Sequence, residues 1–124
     1  MQIPNGHQAI MPYFILHGAP AFMDFTKKVF DANVTATHYR EDNTSVMHAE
    51  VMIGNQTIMF AEATEQYPPA TGNLFIYVDD ADTTFQKALK EGAAVVLELK
   101  DQPYGRSGGI SDPFGNVWWI TSAQ

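Results

Sequence analysis

His48 and Glu50 stand two residues apart in Val46–Ile53, a stretch that alternates apolar and polar side chains. On a strand such a pair shares one face. An imidazole beside a carboxylate can move a proton or anchor a polar group of a ligand. By the same count Met47, Ala49, Val51 and Ile53 form the other face, apolar and suited to packing under a helix. A half-buried structural pair is the plain alternative for His48 and Glu50. Arg106 lies near Tyr104 in a stretch poor in charge. Its guanidinium either grips a carboxylate or phosphate bidentately or sits on a hairpin surface. Trp118 and Trp119 are neighbours and must face opposite sides of their strand, one toward a core and one away from it. Tyr39, Tyr104 and Met59 are further candidates for a ligand-facing wall, and Gly108-Gly109 suits a bulge or a close backbone approach. His7, His17 and His38 show no ligand spacing. No Ser-His-Asp order, phosphate-cradling loop or dinucleotide fingerprint is present.

The elements that must position these residues read clearly. Pro12–His17 reads as a strand and Ala19–Ala32 as a helix, with Phe22, Phe25 and Val29 at helical spacing and Pro20 in the first turn. Strands follow at Val34–Arg40, Val46–Ile53 and Gln56–Glu62, with Gly54-Asn55 as a hairpin turn. Residues 63–72 contain Pro68-Pro69, which suits neither a helix interior nor a central strand, and read as a linker. A second series comprises strand Asn73–Val78, helix Ala81–Gly92, strands Ala94–Leu99 and Tyr104–Ser111, the tight turn Asp112–Asn116 and strand Val117–Ser122. The order βαβββ therefore occurs twice, as modules at about 10–62 and 73–122 of one domain. An offset of sixty pairs Ala21 with Ala81, Phe25 with Phe85 and Val29 with Leu89. An offset of sixty-one pairs Phe14-Ile15 with Phe75-Ile76. The fold class is α+β, two tandem βαβββ modules forming a concave mixed sheet with helices outside.

Charge narrows the partners. Seven Lys and Arg against fourteen Asp and Glu give a net charge of -7. Nucleic acid and anionic membrane are thereby disfavoured, since both need a basic surface. No cysteine is present, which excludes disulfides and thiolate chemistry and fits a cytoplasmic protein. The more apolar part of the uncharged N-terminal stretch, residues 9–23, is too short to span a bilayer, and no Lys or Arg precedes it, so no signal peptide is expected.

Several motifs match a known family. Tyr104-Gly105-Arg106 followed by Asp112-Pro113-Phe114-Gly115-Asn116-Val117-Trp118-Trp119-Ile120 resembles the C-terminal signature of the PhnB-like branch of the glyoxalase/bleomycin-resistance/dioxygenase (vicinal oxygen chelate) superfamily. Met47-His48-Ala49-Glu50-Val51 and the helix segment Met23-Asp24-Phe25 with Lys27-Lys28-Val29-Phe30 are similar to the same branch. The resemblance implies a small-molecule pocket, often within a homodimer, and leaves the chemistry open.

Metal-dependent members carry His, Gln or Glu ligands on the first, fourth, fifth and eighth strands. Aligned here, those positions hold Met11 or Pro12, Met59, Asn73 and Trp119, and a shift of three residues at the second would bring in Glu62. The usual metal site is therefore expected to be missing and no cofactor is expected; a divalent metal on His48 and Glu50 is the alternative. The resulting expectation is a metal-free binder of an aromatic or partly anionic small molecule, with Trp119, Arg106, Tyr104, Tyr39 and Met59 as ligand contacts. The competing expectation is a lyase, isomerase or dioxygenase that uses His48 and Glu50 as catalytic residues.

Overall fold

The computed structural model describes residues 1–123. The element order is β1 (Tyr13–Leu16), α1 (Ala19–Phe30), β2 (Asn33–Tyr39), β3 (Val46–Ile53), β4 (Gln56–Glu62), β5 (Asn73–Tyr77), α2 (Ala81–Lys90), β6 (Ala94–Gln102), β7 (Gly105–Ser111) and β8 (Val117–Ser122). The chain divides into two compact units, Met1–Ala70 and Thr71–Gln124. Each unit is one βαβββ module with its own four-stranded mixed sheet. The strand orders are β1-β4-β3-β2 and β5-β8-β7-β6, so the two tandem βαβββ modules of the α+β fold are present as the sequence implied. In each, the first strand runs parallel to the fourth and the other pairings are antiparallel.

The helices cover one face of each sheet because their apolar stripes have no other place to go. Phe22, Phe25 and Val29 of α1 are buried with Phe14, Leu16, Ala49, Val51 and Phe60. The rings of Phe22 and Phe60 meet edge to face with centroids 4.8 Å apart. In unit 2, Ala81, Phe85 and Ala88 of α2 are buried with Ile110, Trp118 and Ile120.

Both helix starts borrow a side chain from the end of the fourth strand of their module. Gly18 caps α1 but has no side chain to offer. The Glu62 carboxylate fills that role, accepting from the N–H groups of Gly18 (3.0 Å) and Ala19 (2.9 Å). A carboxylate suits the positive end of a helix. In α2 the cap is Asp80, whose carboxylate accepts from Thr83 N–H, and the Ser122 hydroxyl adds an acceptor for Ala81 N–H at 2.8 Å.

Two local departures from simple alternation matter. A bulge where Tyr39 pairs with Val46 breaks the parity of β3: Val46 is buried, and Met47 is exposed instead of joining Ala49 and Val51. Around the glycine pair, β7 stays in register with β8, and the irregularity lies in β6, where Leu97 to Lys100 face only Gly109 to Ser107. A Cβ on Gly108 would come within 3.1 Å of Leu97 O and 2.9 Å of the Phe85 ring, and one on Gly109 within 2.6 Å of the Trp119 ring. The pair is therefore small because the protein's own backbone and rings press on both of its faces.

The repeat is one of architecture more than of residues. Phe25 and Phe85 are both buried, but Ala21 is exposed where Ala81 is buried. Phe14 is 7% exposed under α1, whereas Phe75 is 51% exposed on the side of its sheet away from α2.

Candidate functional site

In unit 1 the sheet face away from α1 gathers Tyr13, His38, His48 and Glu50. Tyr13 on β1 pairs with Met59 on β4, and Met59 pairs with Glu50 on β3, so the three form one row across the sheet. His48 lies two residues along from Glu50 and pairs with His38 on β2, with ring centroids 6.3 Å apart. The Glu50 carboxylate accepts from His48 Nε2 at 2.8 Å and from His7 Nε2 at 2.7 Å. A carboxylate only accepts, so both Nε2 atoms carry the proton. In its neutral form His48 then presents a bare Nδ1, and the Tyr13 hydroxyl lies 3.4 Å from it. Partial burial pushes the Glu50 carboxyl up. The hydrogen bonds from His48 and His7, with their charge, outweigh that and hold it below the usual carboxylate range.

His7 reaches this place because the N-terminal arm is laid along β4 where β1 has not yet begun. The Gln8 amide donates to Thr57 O and accepts from Thr57 N–H, at 2.8 and 3.1 Å. The Thr57 hydroxyl donates to Gly6 O. Pro12 O then accepts from Met59 N–H, leading into β1. These bonds occupy a strand edge that would otherwise be unpaired.

Beside this cluster is a groove of about 780 Å³ within unit 1. Its floor is Ile15 and Ala61; Tyr13, Met47, Arg40 and Tyr67 stand around it. The wall is made by residues 63–70, which leave β4 and return to the outer edge of β1. Ala63 N–H donates to Leu16 O, and Ile15 and Ala70 exchange both backbone bonds. Within the wall, Thr64 N–H donates to Tyr67 O, and Tyr67 N–H donates back to the Thr64 hydroxyl, which fixes Glu65 and Tyr67 at the rim. Tyr13 belongs to both features, its ring in the groove and its hydroxyl at His48.

Unit 2 presents a different surface. Phe75, Tyr77 and Trp119 lie on the side of the sheet away from α2, with Phe75 paired to Trp119. The Phe75 ring is 5.4 Å from Tyr77 and 6.2 Å from Tyr104, and Phe75, Tyr77 and Tyr104 are all exposed. The Trp119 indole N–H donates to Asn73 Oδ1 at 3.2 Å.

The candidate residues therefore separate into groups. His48, Glu50 and Met59 come together in unit 1, and Trp119 and Tyr104 lie around Phe75 in unit 2. Tyr39 stays apart, exposed and paired with Val46. Arg106 also stays apart. It alternates with Ser107 onto the α2 side, where Asp82 takes its Nε and Nη2 at 2.7 and 3.1 Å and Asp101 takes Nη1 at 3.3 Å. Hydrogen bonding by Asp82, then by Asp101, holds the guanidinium pKa above its ordinary value. Sequence reasoning missed His7 and the rim pair Glu65 and Tyr67. Nothing local marks His7, because its partner is 43 residues away. Tyr13 is one of the strand aromatics that the sequence offers for a cavity wall, with Phe14 and Leu16 buried on the opposite face.

The Asp112–Asn116 turn has a structural role. The Asp112 carboxylate accepts from the N–H groups of Phe114 and Asn116, from Asn116 Nδ2 and from the indole N–H of buried Trp118.

The profile of the Glyoxalase/Bleomycin resistance protein/Dioxygenase superfamily matches residues 17–120. The chain belongs to this superfamily. An uncharacterized protein of Mycobacterium bovis is 32% identical over 126 residues, covering 92% of this chain and 82% of the relative. Among solved structures, the PhnB protein from Bacillus cereus superposes with a TM-score of 0.72 at 21% identity, covering 94% of this chain and all (100%) of the other. TnmS3, an antibiotic binding protein from Streptomyces sp. CB03234, gives 0.72 at 21%, covering 95% and 100%. At that identity the structural likeness speaks for the fold alone.

Members of this superfamily often hold a divalent metal, and the residues at the aligned positions can be tested for it. Met11 and Met59 offer thioethers, and the Met11 sulfur already accepts from Gln8 N–H. Asn73 and Trp119 are bonded to each other. Glu62 is turned to the start of α1. This donor set does not suit a hard or borderline divalent cation. Among the described residues no three His, Asp or Glu side chains are grouped as a metal would need.

Proposed function

We propose that the chain is a small-molecule-binding protein and that its ligand lies in the unit 1 groove. The groove itself carries this reading: a volume of about 780 Å³ with an apolar floor, two tyrosine rings and a thioether around it, and a hydrogen-bonded polar chain at one side. That combination of apolar lining and few placed polar groups is what small-molecule sites use. The antibiotic-binding role named for TnmS3 supports the same class. Binding needs only affinity, and the aligned metal positions offer no donor set for metal chemistry. The Trp119 and Phe75 rings with Tyr104 form an aromatic surface of unit 2, and Trp119 and Tyr104 stay candidate contacts of an aromatic ligand on that surface. Pairing into homodimers and a cytoplasmic location belong to the same reading, the first drawn from the family resemblance and the second from the missing cysteines.

A thermal-shift screen of small aromatic compounds tests it. Compounds that raise the melting temperature of the native chain and lose that effect in Tyr67→Ala are expected. A screen without hits, or hits indifferent to Tyr67→Ala and Met47→Ala, would contradict the groove as the site. Trp119→Ala measures the share of the unit 2 surface; unchanged affinity there removes Trp119 from the proposal.

The bond from His48 Nε2 to Glu50 favours a second reading, acid/base catalysis of a lyase or isomerase type. Glu50 orients the ring and His48 Nδ1 exchanges a proton with Tyr13 or with a substrate atom in its place. On this reading His48→Ala abolishes turnover while ligand affinity stays within a few-fold; equal loss of both leaves His48 as a binding anchor.

A further inference from the structure

We infer that the groove selects an amphipathic cation: an aromatic or aliphatic body carrying an amine or a similar positive group. The inference rests on the groove being the binding site and adds the charge class of its ligand. It runs against the anionic ligand that Arg106 suggested, since Arg106 does not line the groove and is held by Asp82 and Asp101.

The charged side chains lining the groove are Arg40, Glu62 and Glu65. The formal charges of Arg40 and Glu62 offset one another, and both groups are hydrogen-bonded into the fold. Arg40 Nη1 donates to the Ser45 hydroxyl and to Val46 O, and Nη2 donates to Glu62 O, so its guanidinium is turned onto the chain. The Glu62 carboxylate faces the first N–H groups of α1 and the positive end of that helix. Glu65 differs. It is exposed, and the two bonds between Thr64 and Tyr67 hold it on the groove rim. The nearest aromatic walls, Tyr13 and Tyr67, are about half exposed and offer ring faces to a cation. A carboxylate and two phenol rings around an apolar floor attract a positive group with an apolar body and repel a carboxylate or phosphate. The net charge of -7 adds a long-range field of the same sign.

Three acridines of one ring shape test this by calorimetry at mildly alkaline pH. Proflavine is a cation, acridine is neutral and acridine-9-carboxylate is an anion. Proflavine is expected to bind about 10-fold more tightly than the carboxylate, from one exposed ion pair and ring–cation contact together. Glu65→Gln should shrink that preference by about 3-fold and leave acridine unchanged. Tyr67→Ala should weaken all three. Equal or tighter binding of the carboxylate, still sensitive to Tyr67→Ala, overturns the charge inference and leaves small-molecule binding standing. A preference untouched by Glu65→Gln also overturns it. If none of the three shows Tyr67-sensitive binding, the groove fails as a site and the inference fails with it.

Discussion

In unit 1 the sheet face away from the helix carries His38, His48, Glu50 and Tyr13, with His7 brought in by the arm; in unit 2 the corresponding face carries Phe75, Tyr77 and Trp119. All four histidines lie in unit 1 and both tryptophans in unit 2. The frames match: the same strand order, the same parallel first-to-fourth pairing, a helix on one side, and a side chain from the end of the fourth strand at the helix start. What a duplicated frame requires is thus the buried face and the caps. The other face is free to diverge, and here one copy became polar and titratable and the other aromatic.

The largest effect expected from breaking this comparison falls in unit 2. Unit 1 joins its last two strands by the short Gly54-Asn55 turn, whereas unit 2 hangs its turn and Trp118 on Asp112. Asp112→Ala strands several buried donors and should cost about 3 kcal/mol in urea unfolding. The caps come next. Glu62→Ala removes the one side-chain acceptor at the start of α1 and should cost about 1–2 kcal/mol. Ser122→Ala leaves Asp80 in place and should cost about 0.5 kcal/mol; equal losses would mean the two helix starts are not built differently.

A pH effect separates the two faces further. The Glu50 carboxyl is held below its ordinary range in the folded chain, so its contribution is present above the unfolded value and is lost as pH falls through the lowered one. The stability gap between the native chain and Glu50→Gln should therefore be full at neutral pH and close on acidification below the ordinary glutamate range. A gap that is constant with pH would show that the His7–Glu50–His48 bonds do not govern it. The smallest effect is expected from Arg106→Gln, which loosens an exposed ion pair on the α2 side and should leave proflavine affinity unchanged.

The sequence made the element order legible almost throughout, because buried faces repeat every second residue in strands and every third or fourth in helices. Val46–Ile53, Gln56–Glu62 and Val117–Ser122 stand where alternation put them. Alternation also placed His48 with Glu50. It misplaced Met47, because a bulge adds a residue without changing composition. The offset of sixty-one paired Phe14 with Phe75, which look alike but face opposite ways in their modules. Half of the candidate site was beyond its reach for a different reason. His7 is joined to Glu50 across 43 residues, and Glu65 and Tyr67 sit in a loop shaped by backbone bonds to β1. Such contacts depend on the path of irregular chain, which leaves no periodic mark.

The same partition supplies the most direct test of the groove as the binding site. Every methionine lies in unit 1, and Met47 lines the groove, while Trp118 and Trp119 belong to unit 2. A proflavine titration of protein with labelled methionine methyls and indole nitrogens should move the Met47 methyl signal to saturation. A Met47 signal that stays still while the Trp119 indole signal moves would contradict the account.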